Sequence, residues 1–132
     1  MPYELTDREM SMYDEQGYLV VQNLVSQPVI ARVFNEIKAA VDGRPHTPIE
    51  LIQYEPYARE WPDSKRGELD VRKLFRMAKH VEFFRELSHD SRLLSIAKQL
   101  LGPQVSLTQS MLLMKPPEVG GEKVWHQDNA YF

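Results

Sequence analysis

The sequence predicts an α+β fold with its helices first and its strands last. Three observations predict it. Capped segments with apolar residues at helical spacing recur as far as residue 101. Gly102-Pro103 then forms a strong helix stop. Beyond it, Val105 to Lys115 and Val124 to Phe132 read as extended runs, separated by Pro116-Pro117 and a Gly120-Gly121 turn.

Each element has a local cause. Thr6-Asp7-Arg8-Glu9 is a capping box, so a short helix should start there and stop near Gly17. Tyr18-Leu19-Val20-Val21 is a compact β-rich run, expected as a buried strand. Ser26 is a good N-cap with Pro28 in the first turn, and Val29, Ile30, Val33, Phe34, Ile37 and Val41 follow helical spacing up to Gly43. Residues 44–68 hold Pro45, Pro48, Pro56, Pro62 and Gly67, which argues for a long irregular loop. Its aromatics Tyr54, Tyr57 and Trp61 are expected to pin it onto the core. Val71, Leu74, Phe75, Ala78 and Val81 suggest another amphipathic helix. Asp90 can cap a last one, with Leu93, Leu94, Ala97, Leu100 and Leu101 facing inward. Core strands are expected from about residue 104, all within one domain unit spanning 1–132.

Composition narrows the function classes. The 132 residues are 42% hydrophobic and 27% charged, as in an ordinary globular domain. A net charge of −3 gives no electrostatic reason to expect nucleic acid or an anionic membrane as a partner. No apolar run is long enough to span a bilayer, and Met1 to Met10 lacks a secretory h-region, so a cytoplasmic location is expected. The absence of cysteine excludes disulfides, thiolate nucleophiles and Cys-based zinc sites in this chain. Two or three strands cannot cover both faces of a sheet. The chain is therefore expected to be part of a larger domain, with an open sheet edge able to pair a homodimer.

The sharpest chemical feature is Trp125-His126-Gln127-Asp128. On a strand, residues i and i+2 share a face, which would put an imidazole and a carboxylate at chelating distance. Two His and one carboxylate on one octahedral face hold iron(II) in oxygenases. Taken alone, the tripeptide reads more readily as a surface His and Asp on a terminal strand. By the same parity Val105, Leu107, Gln109, Met111, Leu113 and Lys115 share one face, and Ser106, Thr108, Ser110, Leu112 and Met114 the other. Gln109 and Lys115 would thus project together among apolar neighbours, the mixture that a small anionic ligand requires. Equally, Lys115 reads as a solvated strand-end lysine and Gln109 as a buried amide bonded to backbone.

Gln109-Ser110-Met111-Leu112-Leu113-Met114-Lys115-Pro116-Pro117, a Gly-containing turn, and Trp125-His126-Gln127-Asp128-Asn129-Ala130-Tyr131-Phe132 together resemble the phytanoyl-CoA dioxygenase family. Leu5-Thr6 before a short helix, Gly17 to Val21, and His89 to Pro103 are similar to the earlier parts of that family. The resemblance implies a double-stranded β-helix, or jelly roll, of which this chain holds the N-terminal helices and first strands. It implies Fe(II) and 2-oxoglutarate as cofactors, with O2 and a small organic substrate that is hydroxylated. His126 and Asp128 match the family's iron ligands. Lys115 and Met111 match positions near 2-oxoglutarate, and Gln109 one that faces substrate or cosubstrate. Lys73 matches a basic cosubstrate contact loosely, and a solvated helix lysine is its alternative. The family's second iron-binding His and its 2-oxoglutarate-anchoring Arg come well after the His-x-Asp, so the 132-residue chain alone is expected to be inactive. His46, His80 and His89 lie in a loop or near helix ends, where ordinary roles are expected. The competing reading is a non-catalytic cupin-like scaffold or small α+β binding module in which His126 and Asp128 are not metal ligands.

Overall fold

A computed structural model describes residues 1–43, 49–60 and 67–128. Six helices and one three-stranded antiparallel sheet make up the described part, so the fold is α+β.

Helix α1 (Asp7–Gln16) forms because its capping box closes. Thr6 Oγ1 accepts from Glu9 N at 3.2 Å, and Glu9 Oε2 accepts from Thr6 N at 2.8 Å. Gly17 ends it in the left-handed conformation at φ 76°. The residues before α1 are tied to Ser95 and Gln99, more than ninety positions later. Tyr3 N donates to Ser95 Oγ at 2.8 Å, and the Gln99 amide accepts from Leu5 N and donates to Tyr3 O. Tyr18–Val21, expected as a buried strand, forms no ladder among the described residues, and Tyr18 and Val20 stay exposed. A β-rich run becomes a strand only where a partner offers its backbone groups.

Helix α2 (Gln27–Val41) buries Ile37 and Ala40 against the core. Ser26 occupies the N-cap position but makes no side-chain cap bond. Phe34, part of the apolar set at helical spacing, is exposed. Arg32 instead lies 4.5 Å above the ring of Phe83.

The segment expected as an irregular loop over 44–68 is partly regular. It holds a 3-10 turn Ile49–Leu51, strand β1 (Ile52–Tyr54) and helix α3 (Pro56–Glu60). A second 3-10 turn, Gly67–Asp70, leads into strand β2 (Val71–Phe75). Tyr54 packs against the core and Tyr57 donates to Leu69 O at 2.8 Å, so both pin the segment as expected. His46 and Trp61 lie outside the described residues.

The amphipathic helix expected over Val71–Val81 is instead strand β2, followed by helix α4 (Met77–His80). The reason is tertiary. β2 is the central strand, hydrogen-bonded on both sides, in the order β1-β2-β3. Its pairing runs Ile52 with Leu74, Gln53 with Lys73, then slips to Tyr54 with Val71. That bulge inserts Arg72 and resets the alternation, so Val71 and Leu74, three residues apart, are both fully buried. Three-residue spacing imitates a helical period.

Helix α5 (Glu82–Ser88) buries Phe83 and Phe84, whose rings meet edge-on at 5.3 Å. Helix α6 (Ser91–Leu101) begins at Asp90, whose Oδ1 accepts from Arg92 N at 2.9 Å. Leu93, Leu94, Ala97 and Leu100 are half-buried, but Leu101 is exposed rather than inward. Core strands, expected from about residue 104, reduce to β3 (Met111–Leu113). Gln104 to Ser110 runs without a ladder, and Ser110 Oγ accepts from Ala78 N at 2.9 Å.

The core lies between the sheet and helices on one of its faces: Ile37, Ala40, Val71, Leu74, Met77, Ala78, Phe83 and Phe84. Ile52, Tyr54, Leu112 and Met114 reach it from the sheet's inner face.

Candidate functional site

Register defines the opposite face of the sheet. Lys73 pairs with Leu113 and Phe75 with Met111 across β2 and β3, and Gln53 pairs with Lys73 across β1 and β2. Alternation puts Gln53, Lys73, Phe75, Met111 and Leu113 on one outward face. Leu113 is 63% exposed there, whereas its neighbours Leu112 and Met114 pack inward. The parity read from the sequence thus holds over 111–114.

Lys73 and Lys115 share a cavity of about 130 Å³, lined also by Arg72, Lys123, Leu113 and Glu55. Lys73 was expected on a helix; it comes instead from the central strand, its Nζ 5.7 Å from the Phe75 ring centroid. Gln109 is exposed and opens onto a different cleft, beside Arg76 and Lys79. Met111 is half-buried at the sheet edge, lining a third cavity with Met77, Phe84 and Leu93. The four ligand-side candidates therefore do not converge on one cavity.

His126 and Asp128 are adjacent, but not through a strand. Glu122 to Gln127 forms no regular element, Asp128 begins a turn, and residues 129–132 lie outside the described residues. His126 Nε2 lies 3.3 Å from Asp128 Oδ1, with the imidazole side chain 27% exposed. His126 Nδ1 is 2.9 Å from Val124 O. A carbonyl only accepts, so Nδ1 carries the proton and donates, and in the neutral ring the lone pair sits on Nε2, toward Asp128. A ligating histidine is held in this way, with its other ring N–H on a backbone carbonyl. Two donors each about 2.1 Å from one ion at right angles stand about 3 Å apart, close to the spacing here. The pair thus fits two cis positions on a divalent ion. It fits equally an imidazolium paired with a carboxylate. Among the described residues no group of three or more His, Asp or Glu converges on it. His80 and His89 are exposed, and His89 is bonded to Arg85 O at 2.8 Å.

One feature beside the site gave no local sequence signal. Glu55 is 1% exposed, and its Oε2 receives Arg72 Nη1 and Gly121 N, both at 3.3 Å. Arg72 Nη2 also donates to Glu122 O at 3.0 Å. This clasp anchors the chain a few residues before His126. A Cβ at Gly121 would overlap Arg72 Nη1, so any larger residue must displace the Arg72 guanidinium or the turn. The Gly120-Gly121 turn was legible in the sequence; its buried partners, 66 residues upstream for Glu55, were not.

Residues 13–132 match the family model described as phytanoyl-CoA dioxygenase. The chain is 26% identical to an ectoine dioxygenase of Streptomyces avermitilis over 96% of this chain and 40% of that protein. It is 29% identical to an ectoine dioxygenase of Bordetella parapertussis over 94% of this chain and 37% of that protein. A phytanoyl-CoA dioxygenase 1 of Oryza sativa subsp. japonica is 22% identical over 96% of this chain and 54% of its own length. The chain therefore spans about two fifths of the ectoine dioxygenases it matches. No solved structure matches it significantly.

Proposed function

Because the chain belongs to the phytanoyl-CoA dioxygenase family, we propose that it supplies the first part of an Fe(II)- and 2-oxoglutarate-dependent dioxygenase that hydroxylates a small organic substrate. The observation that carries this reading is the His126–Asp128 pair, 3.3 Å apart, with the imidazole tautomer set by Val124 O. In this reading the described helices and sheet belong to a jelly roll whose interior is lined by the outward sheet face.

His126 and Asp128 would hold the iron through Nε2 and Oδ1, and the bond from Nδ1 to Val124 O keeps the ring oriented. Lys73 and Lys115 offer ammonium groups to the carboxylate of 2-oxoglutarate. Phe75 and Leu113, on the same sheet face as Lys73, form an apolar wall that limits water, while Met111 and Gln109 lie outside this cavity. When bound, the iron and 2-oxoglutarate supply the oxidising power for the hydroxylation.

A second reading has its own support. With no third His, Asp or Glu converging among the described residues, the pair also serves as a plain ion pair in a non-catalytic cupin-like or α+β module. Titration with Mn(II), read by the loss of the free-ion electron paramagnetic resonance signal, separates the two. The oxygenase reading expects binding that disappears in His126→Ala and in Asp128→Ala. Binding unchanged in the double variant sinks it. We further propose that β3, whose outer edge is open among the described residues, pairs two copies; a monomer by sedimentation counts against this. No described helix is long and apolar enough to cross a membrane.

A further inference from the structure

Arg76 occupies a position that suits glycine. It joins β2 to α4 at φ 54° and ψ 34°, the left-handed region that a side chain with a Cβ disfavours. Non-glycine residues held there are a recognised mark of functional sites, because the surrounding structure must hold the strain. Arg76 lines a cleft of about 350 Å³, and its neighbours show what the cleft suits.

Lys79, Arg85 and His89 line the same cleft, together with Thr108 and Gln109. No aspartate or glutamate lines it. Among the described residues neither Arg76 nor Lys79 forms an ion pair. Arg85 is held by Glu82, which is not part of the lining. In a chain of net charge −3, two cations outside any ion pair among the described residues, Arg76 and Lys79, therefore line one concavity that has no carboxylate in its wall, beside the Glu82-paired Arg85. The hydroxyl and amide of Thr108 and Gln109 add neutral hydrogen-bonding groups.

We infer that this cleft binds a phosphate dianion, either free or as the phosphomonoester end of a small molecule. Arginine forks match phosphate oxygens in pairs, and an ammonium adds a point charge. Two cations in one cleft, with no carboxylate in its wall, favour a dianion over a monocarboxylate. An arginine is kept at a left-handed position that glycine or asparagine would fill with less strain, and it lines the cleft. The inference does not depend on iron or 2-oxoglutarate, and its test uses neither.

The chain is titrated by calorimetry with inorganic phosphate and with adenosine 5′-monophosphate, at constant ionic strength set by chloride. Saturable binding is expected for at least one of them. Tighter binding of the nucleotide identifies an ester site, and equal affinity a free-phosphate site. Arg76→Asn is expected to weaken binding at least tenfold while raising the melting temperature, because asparagine tolerates the left-handed conformation. Lys79→Gln is expected to weaken it similarly with no gain in stability. No saturable binding of either probe, or wild-type affinity in both variants, overturns the site. A fall in melting temperature for Arg76→Asn overturns the argument from strain.

Discussion

Gly121→Ala tests the clasp between the β-sheet and the segment that carries His126. The added methyl would overlap Arg72 Nη1 and press on Glu55 Oε2 at 3.2 Å. Either Arg72 withdraws or the turn is displaced, and in both cases the Glu55 carboxylate, 1% exposed, loses a donor. Removing one partner of a fully buried pair costs about 3–5 kcal/mol. The bonds here are long, at 3.3 Å, and the Arg72 side chain is 22% exposed, so water can partly replace what is lost. The expected destabilisation is therefore about 2–3 kcal/mol, or roughly 8–12 °C in melting temperature for a domain of this size. Gly43→Ala is the control. Its φ is +79° with nothing within 4 Å, so only the backbone penalty of about 1 kcal/mol applies. Urea unfolding followed by far-ultraviolet circular dichroism gives both values. In an Arg72→Met background the overlapping nitrogen is gone, and Gly121→Ala should then cost under about 1 kcal/mol. A Gly121→Ala cost no larger than that of Gly43→Ala, or one unchanged by Arg72→Met, refutes the clasp.

Leu74→Ala should cost about 3–5 kcal/mol in the same unfolding assay, since Leu74 is 0% exposed at the centre of the core; a loss under 1 kcal/mol would mean that the sheet is not packed as described. Asp90→Ala should cost about 1 kcal/mol through the lost helix cap, with Asp90→Asn retaining most of it. The side-chain bonds from Arg92 hold the Asp90 carboxyl down to about 2. A depressed folded value means that its contribution is present above the unfolded value near 4 and is lost as pH falls toward 2. The wild type should therefore lose more stability than Asp90→Ala between pH 4 and 2, and parallel acid titrations of the two would contradict this. Glu9 is also lowered, first by the Thr6 backbone N–H and next by the Thr6 hydroxyl, so Thr6→Ala, which removes only the hydroxyl, should flatten a smaller part of the same acid limb.

Local rules settled much of this chain, because the interactions behind them lie within a few residues. The capping box at Thr6 and Glu9, the Gly17 stop, the Asp90 cap and the Gly102 stop all formed as written in the sequence. The alternation over 111–114 was legible for the same reason, since strand parity needs only the order of residues. His126 and Asp128 were nominated by type and spacing, and the structure brings them together, although a turn rather than a strand does so. What depended on distant partners was not legible. Val71 to Phe75 had a helical spacing, and only hydrogen bonds from β1 and β3, with a bulge at Arg72, made it a strand. Tyr18 to Val21 had strand composition and found no partner among the described residues. The cavity shared by Lys73 and Lys115, and the bonds of Glu55 with Arg72 and Gly121, join residues from 17 to 66 positions apart. Tertiary structure decided these, because burial and pairing depend on the whole chain, while caps and turns depend on their nearest neighbours.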